Sequence, residues 1–126
     1  MAKRILVVDD DAGSQKLLQS ILGAKGYAVD VAADGKEVPA KIQASRPDLI
    51  IMDYLMPQED GIKTVNKILE TPALSDIPII FLTAVMTQDR HTGAKFDIQV
   101  KDRTFKTLSK PVDSNVLLKE VAALIK

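Results

Sequence analysis

The segment Leu49-Ile50-Ile51-Met52-Asp53 constrains the fold more than any other stretch of the chain. Consecutive apolar residues end abruptly in a carboxylate, and turn formers follow at Pro57 and at Asp60-Gly61. A half-buried strand alternates apolar and polar residues. An unbroken apolar run bounded by turn residues reads instead as a strand buried on both faces, as in a parallel sheet covered by helices. Ligands of open parallel sheets sit beyond the carboxyl ends of the strands. Asp53 therefore stands where such an architecture does chemistry. The competing reading is an aspartate that only starts a turn.

The rest of the chain supplies partners for that strand. Arg4-Ile5-Leu6-Val7-Val8 is a second buried run, and it ends in Asp9-Asp10-Asp11. Ser14 to Leu22 carries Leu17, Leu18, Ile21 and Leu22 at the spacing of one helix face, and Gly23 and Gly26 end that helix. Tyr27-Ala28-Val29-Asp30-Val31 alternates as a strand does. Asp34-Gly35 makes a turn, and a helix from about Lys36 to Ala44 follows, with Pro39 tolerable only in its first turn. Gly61 opens a helix with Ile62, Val65, Ile68 and Leu69 on one face, stopped by Thr71-Pro72. Ile77 to Leu82 reads as a strand ending at Thr83-Ala84. Thr104 to Leu108 is a weaker one, ending at Ser109-Lys110-Pro111. Asp113 suits the N-cap of a last helix with Val116, Leu117, Val121, Leu124 and Ile125 on its face.

Strands and helices thus alternate from end to end. That pattern predicts one α/β domain over residues 1–126: a doubly wound, five-stranded parallel sheet with helices on both faces and right-handed crossovers. The first and third strands are the most apolar and belong in the centre. The expected order is then 2-1-3-4-5, a flavodoxin-like arrangement. It gathers Asp9, Asp10 and Asp53 at one edge of the sheet.

Composition narrows the function by exclusion. Lys+Arg and Asp+Glu both number 17, so no global charge argues for nucleic acid or an anionic membrane surface. The cysteine count is zero, which excludes disulfides, thiolate metal sites and a cysteine nucleophile, and which suits a reducing cytoplasm. The apolar run after Lys3-Arg4 stops at Asp9, too soon for a signal-peptide core or a membrane span.

Crowded carboxylates repel one another unless a cation shares the site. Oxygen donors on a short rigid frame suit Mg²⁺, with Mn²⁺ able to substitute in vitro. An aspartate carboxylate is also a covalent nucleophile in aspartyl-phosphate chemistry. Thr83 and Lys110 end the fourth and fifth expected strands on the same rim. A hydroxyl donor and a fixed ammonium are what the oxygens of a transferred phosphoryl group require.

These pieces together resemble the receiver domain of two-component response regulators. The matching segments are Val8-Asp9-Asp10-Asp11, Asp53-Tyr54-Leu55-Met56-Pro57-Gln58-Glu59-Asp60-Gly61, Leu82-Thr83-Ala84 and Ser109-Lys110-Pro111, and they span nearly the whole chain in order. The resemblance implies that Asp53 is the phosphoacceptor. It implies that Asp10 ligates Mg²⁺ directly, Asp9 mainly through water, and Leu55 through its carbonyl. Thr83 then contacts the phosphoryl group and Lys110 ion-pairs with it. The implied donor is a phosphohistidine on a histidine kinase or phosphotransfer protein. The implied output is a changed surface for a downstream protein target, in a monomer or a phosphorylation-dependent dimer, with neither nucleic acid nor membrane bound directly.

Two departures from the family weigh against ordinary switching. Thr107 stands where the family usually has Tyr or Phe, and Phe105 is the nearest aromatic, on the same face by strand alternation. The interval from Thr83 to Lys110 is also roughly a helical turn longer than usual. It lacks a clean helical period: Phe96, Ile98 and Val100 alternate with Asp97, Gln99 and Lys101, which favours a strand or extended loop. A short fourth helix with an irregular insert is the expectation there. Its charges, Lys95, Lys101, Arg103 and Lys106 against Asp97 and Asp102, read as a solvated loop, and the single His91 as a surface residue. These departures keep a phosphorylation-independent, protein-binding pseudo-receiver as the alternative. A haloacid-dehalogenase-like phosphatase also uses a strand-end Asp and Mg²⁺. It would want a second Asp where this chain has Leu55.

Overall fold

Apolar strand segments and the helices between them assemble into one sheet covered on both sides. A computed structural model describes residues 3–33, 35–53, 70, 77–83, 96–100, 103–109 and 113–125. The strands are β1 (Arg4–Val8), β2 (Ala28–Ala32), β3 (Leu49–Asp53), β4 (Ile79–Thr83), β5 (Phe96–Val100) and β6 (Arg103–Ser109). The helices are α1 (Ala12–Gly23), α2 (Val38–Ala44), preceded by a 3₁₀ turn at Gly35–Glu37, and α3 (Ser114–Leu124). The sheet order is β2-β1-β3-β4-β6-β5. The first five of these strands are parallel, in the order expected from the sequence. The sixth strand, β5, runs antiparallel to β6 and extends that edge. The alternation at Phe96–Val100 therefore belongs to a strand, paired with β6, and not to an extended loop.

Strand alternation divides the core into two layers. Leu6, Val8, Ile50, Met52 and Phe81 pack against Val38 and Ile42 of α2. Ile5, Val7, Leu49, Ile51, Ile80 and Leu82 pack against Leu18 and Leu22 of α1 and Leu117 and Val121 of α3. All of β3 is buried, as its unbroken apolar run requires.

Local chemistry sets the element ends. Pro39 falls within the first two positions of α2, where a missing N–H costs nothing. Gly26, at φ 90°, makes the turn out of α1, and its N–H reaches the Gly23 carbonyl at 2.9 Å. Asp113 caps α3, its Oδ1 accepting from the N–H groups of Asn115 at 2.9 Å and Val116 at 3.1 Å. Replacing Asp113 with Ala strands both donors and is expected to cost about 1 kcal/mol. A urea titration with an unchanged slope measures this loss. No helix among the described residues is long and apolar enough to cross a membrane. The helix expected from Gly61 to Leu69, the fourth helix and His91 lie outside the described residues.

Candidate functional site

Strand register determines which side chains can meet. Val7 pairs with Ile51 and Val8 with Met52. One step further along the same two strands come Asp9 and Asp53. Both continue the sequence parity of Ile5, Val7, Leu49 and Ile51, so they emerge on one side of the sheet at its carboxyl edge. The two carboxylates are buried, Asp9 at 1% and Asp53 at 7% exposure, whereas Asp10 is exposed. Carboxylate oxygens of Asp9, Asp10 and Asp53 lie within 4.8 Å of one another.

The turn that carries this cluster is held from several directions. The Asp9 N–H donates to the Ala32 carbonyl at 3.0 Å, which ties the turn to β2. The Gln15 side-chain amide donates to the Asp9 carbonyl at 2.6 Å. The Asp11 N–H donates to Oδ1 of Asp9 at 2.9 Å. Asp11 turns away to cap α1, its Oδ2 accepting from the Ser14 N–H at 2.8 Å. Three adjacent aspartates are therefore placed in three different ways: one buried in the carboxylate cluster, one exposed at its rim, and one capping a helix. The bracing role of Gln15 was not foreseen. Its signal was a polar residue on the first turn of a helix whose apolar face starts only at Leu17 and Leu18.

The donor set fits a hard divalent cation. Two buried carboxylates and one exposed carboxylate are oxygen donors on rigid strand ends, and the exposed side leaves room for the waters Mg²⁺ retains. Burying like charges this close is unfavourable without a cation.

The other expected site residues are placed in part. Asp53 pairs with Leu82, so the Thr83 backbone is one step past it on the neighbouring strand. Thr83 pairs with Ser109, the last residue of β6, and Lys110 follows Ser109 in sequence. Lys110 and Leu55 themselves lie outside the described residues. Thr107, at the position where the family usually carries an aromatic, is in register with Phe81 on one side and Phe96 on the other.

Comparison with known proteins adds an independent line. The family model for the response regulator receiver domain matches residues 5–122. Response regulator MprA of Mycolicibacterium vanbaalenii is 40% identical over 84 residues, 67% of this chain and 36% of that protein. Response regulator PleD of Caulobacter vibrioides is 34% identical over 125 residues, 98% of this chain and 26% of that protein. The chain thus spans about a quarter to a third of the length of these relatives. Among solved structures, chemotaxis protein CheY4 of Vibrio cholerae superposes with a TM-score of 0.81 at 28% identity, covering 98% of this chain and 99% of that one.

Proposed function

This chain belongs to the response regulator receiver domain family of two-component systems, and from that premise we propose that it accepts a phosphoryl group on Asp53. The observation that carries the proposal is the meeting of Asp9, Asp10 and Asp53 at the carboxyl edge of the sheet. A carboxylate oxygen of Asp53 attacks the phosphorus of a phosphohistidine. The bond to the histidine nitrogen breaks as the acyl phosphate forms, and the imidazole leaves. The donor is a histidine kinase or a phosphotransfer protein.

Each remaining residue has a part in that transfer. Asp10, Asp53 and the Leu55 carbonyl, with Asp9 mainly through water, would hold Mg²⁺, or Mn²⁺ in its place. Once bound, the ion would neutralise charge at the phosphoryl oxygens. The Thr83 hydroxyl donates to a phosphoryl oxygen, and the Lys110 ammonium pairs with another. The charge gained at Asp53 then biases the surface formed around β4 and β6, which a downstream protein target reads. The whole of residues 1–126 serves as one receiver domain. A phosphorylation-independent module gains no support from an intact carboxylate cluster, and the family match favours the phosphoacceptor reading over a phosphatase of the dehalogenase type.

Incubation with acetyl phosphate and Mg²⁺ tests this directly. Intact-mass spectrometry is expected to show a single phosphoryl adduct on the wild type and none on Asp53→Ala. An unmodified wild type, or the same adduct on the variant, would sink the assignment.

A further inference from the structure

The added strand β5 gives this sheet an edge of unusual chemistry. Sheets ordinarily blunt their edges with charged side chains, above all lysine, or with proline, bulges or covering elements, because a row of unpaired N–H and C=O groups recruits other strands. Phe96-Asp97-Ile98-Gln99-Val100 contains no lysine, proline or glycine, and Asp97 is its single charge. Among the described residues β5 pairs only with β6. We propose that this edge pairs with the same edge of a second copy of the chain, antiparallel and centred on Ile98, so that two six-stranded sheets become one.

The pairing of β5 with β6 fixes which backbone groups face outward. Val100 pairs with Arg103, and only two residues separate them in sequence. Antiparallel strands that close across two residues do so on a hydrogen-bonded pair, and hydrogen-bonded pairs then recur at every second residue. Residues 96, 98 and 100 therefore direct their backbone groups at β6, and residues 97 and 99 direct theirs outward.

A two-fold axis allows few registers under that constraint, since outward residues must meet outward residues. Centring on Asp97 sets Asp97 opposite its own copy, and like charges directly opposite destabilise a sheet. Centring on Gln99 leaves Phe96 outside the five-residue match. Centring on Ile98 uses all five residues. Asp97 then meets Gln99 in two hydrogen-bonded pairs, Phe96 meets Val100, and Ile98 meets Ile98. The opposite edge of the sheet lacks this self-complementarity. The full-length register of β2 on itself sets Asp30 against Asp30, and Asp30 already holds Arg4 at 3.0 Å.

The register makes a sharp test, because the chain has no cysteine of its own. Centred on Ile98, the two copies of residue 98 form a non-hydrogen-bonded pair with Cα atoms about 4.5 Å apart, within disulfide reach. The two copies of residue 96 are displaced by four residues, roughly 13 Å, beyond it. Mild oxidation is expected to give a covalent dimer from Ile98→Cys. Phe96→Cys alone, Val100→Cys alone and the exposed control Lys41→Cys are expected to stay monomeric. Mixing Phe96→Cys with Val100→Cys is expected to restore crosslinking. Sedimentation of the unmodified chain is expected to show a concentration-dependent dimer that Gln99→Pro, which removes an outward N–H, abolishes. Crosslinking no better at 98 than at 41, or strongest for 96 or 100 alone, overturns the proposal. So does a wild type that sediments as a monomer at every concentration.

Discussion

Replacing Asp10 with Ala is expected to weaken Mg²⁺ binding by at least about a hundredfold and, in the same protein, to make the metal-free fold more stable. Losing a group that merely orients a metal ligand costs roughly 10–100-fold in affinity. Losing a ligand itself costs at least the upper end of that range. The opposite sign on stability follows from charge alone. Two unit charges within 4.8 Å repel by about 1 kcal/mol in a water-like dielectric, and Asp10 is exposed enough for that value to apply. The variant should therefore outlast the wild type in EDTA by about 1 kcal/mol. The wild type then gains stability from Mg²⁺ by mass action, and the variant gains almost none. Titration calorimetry with Mg²⁺ and urea unfolding in both buffers give the two readouts. Its neighbour provides the contrast. Asp11→Ala removes the cap of α1 and should cost about 1 kcal/mol in either buffer while leaving Mg²⁺ affinity close to that of the wild type. A wild-type affinity in Asp10→Ala would mean that the carboxylates do not form a cation site, and a loss of stability in EDTA would mean that their mutual repulsion does not govern the metal-free fold.

That contrast also shows where the sequence is legible and where it stops. Asp9, Asp10 and Asp11 are equivalent as letters. Only the register of β1 on β3 and the start of α1 assign them different work. The parallel sheet, its order and the convergence of Asp9, Asp10 and Asp53 follow from unbroken apolar runs, which report burial on both faces whatever the details of turns. Element ends are decided by single hydrogen bonds that no periodicity carries. Helix α1 begins at Ala12, two residues before Ser14, because Asp11 supplies a cap there. Strand β2 begins at Ala28, one residue late, because the Tyr27 N–H turns back to the Leu22 carbonyl at 3.3 Å. Strand β4 begins at Ile79, two residues past Ile77, because Pro78 has no N–H for the ladder. The Pro78 carbonyl nevertheless accepts from the Ile50 N–H at 3.0 Å. The alternation at Phe96–Val100 announced an extended segment. Its partner and direction are not legible there, because Lys101-Asp102, which separates it from β6 in sequence, carries no strong hairpin signal.

Phe81→Ala is expected to cost about 3–5 kcal/mol, the largest effect on stability of any substitution considered for this chain. Phe81 is fully buried on β4, which lies between β3 and β6. It shares a layer with Leu6, Val8, Ile50 and Met52 of the neighbouring strands and with Val38 and Ile42 of α2. Strands paired on both sides move little, so the surroundings collapse poorly onto a missing ring, and the cavity term adds to the lost transfer energy. Domains of this size hold about 5–15 kcal/mol in total, so the variant should sit near the threshold of folding. Urea unfolding checks the value, with an unchanged slope required if the fold is retained. Leu17→Ala is the matched control: Leu17 is 47% exposed on α1, and its loss should stay within about 0.5 kcal/mol. The same residue separates folding from chemistry. Phe81 precedes Thr83 by two positions on β4 and Asp53 lies on the adjacent strand, so loss of the ring should lower phosphoryl uptake only in proportion to the folded fraction. Uptake that fails while the variant is still folded would show that the ring also positions the carboxyl edge of β4. A cost below about 1 kcal/mol would instead mean that the layer between the sheet and α2 is not close-packed.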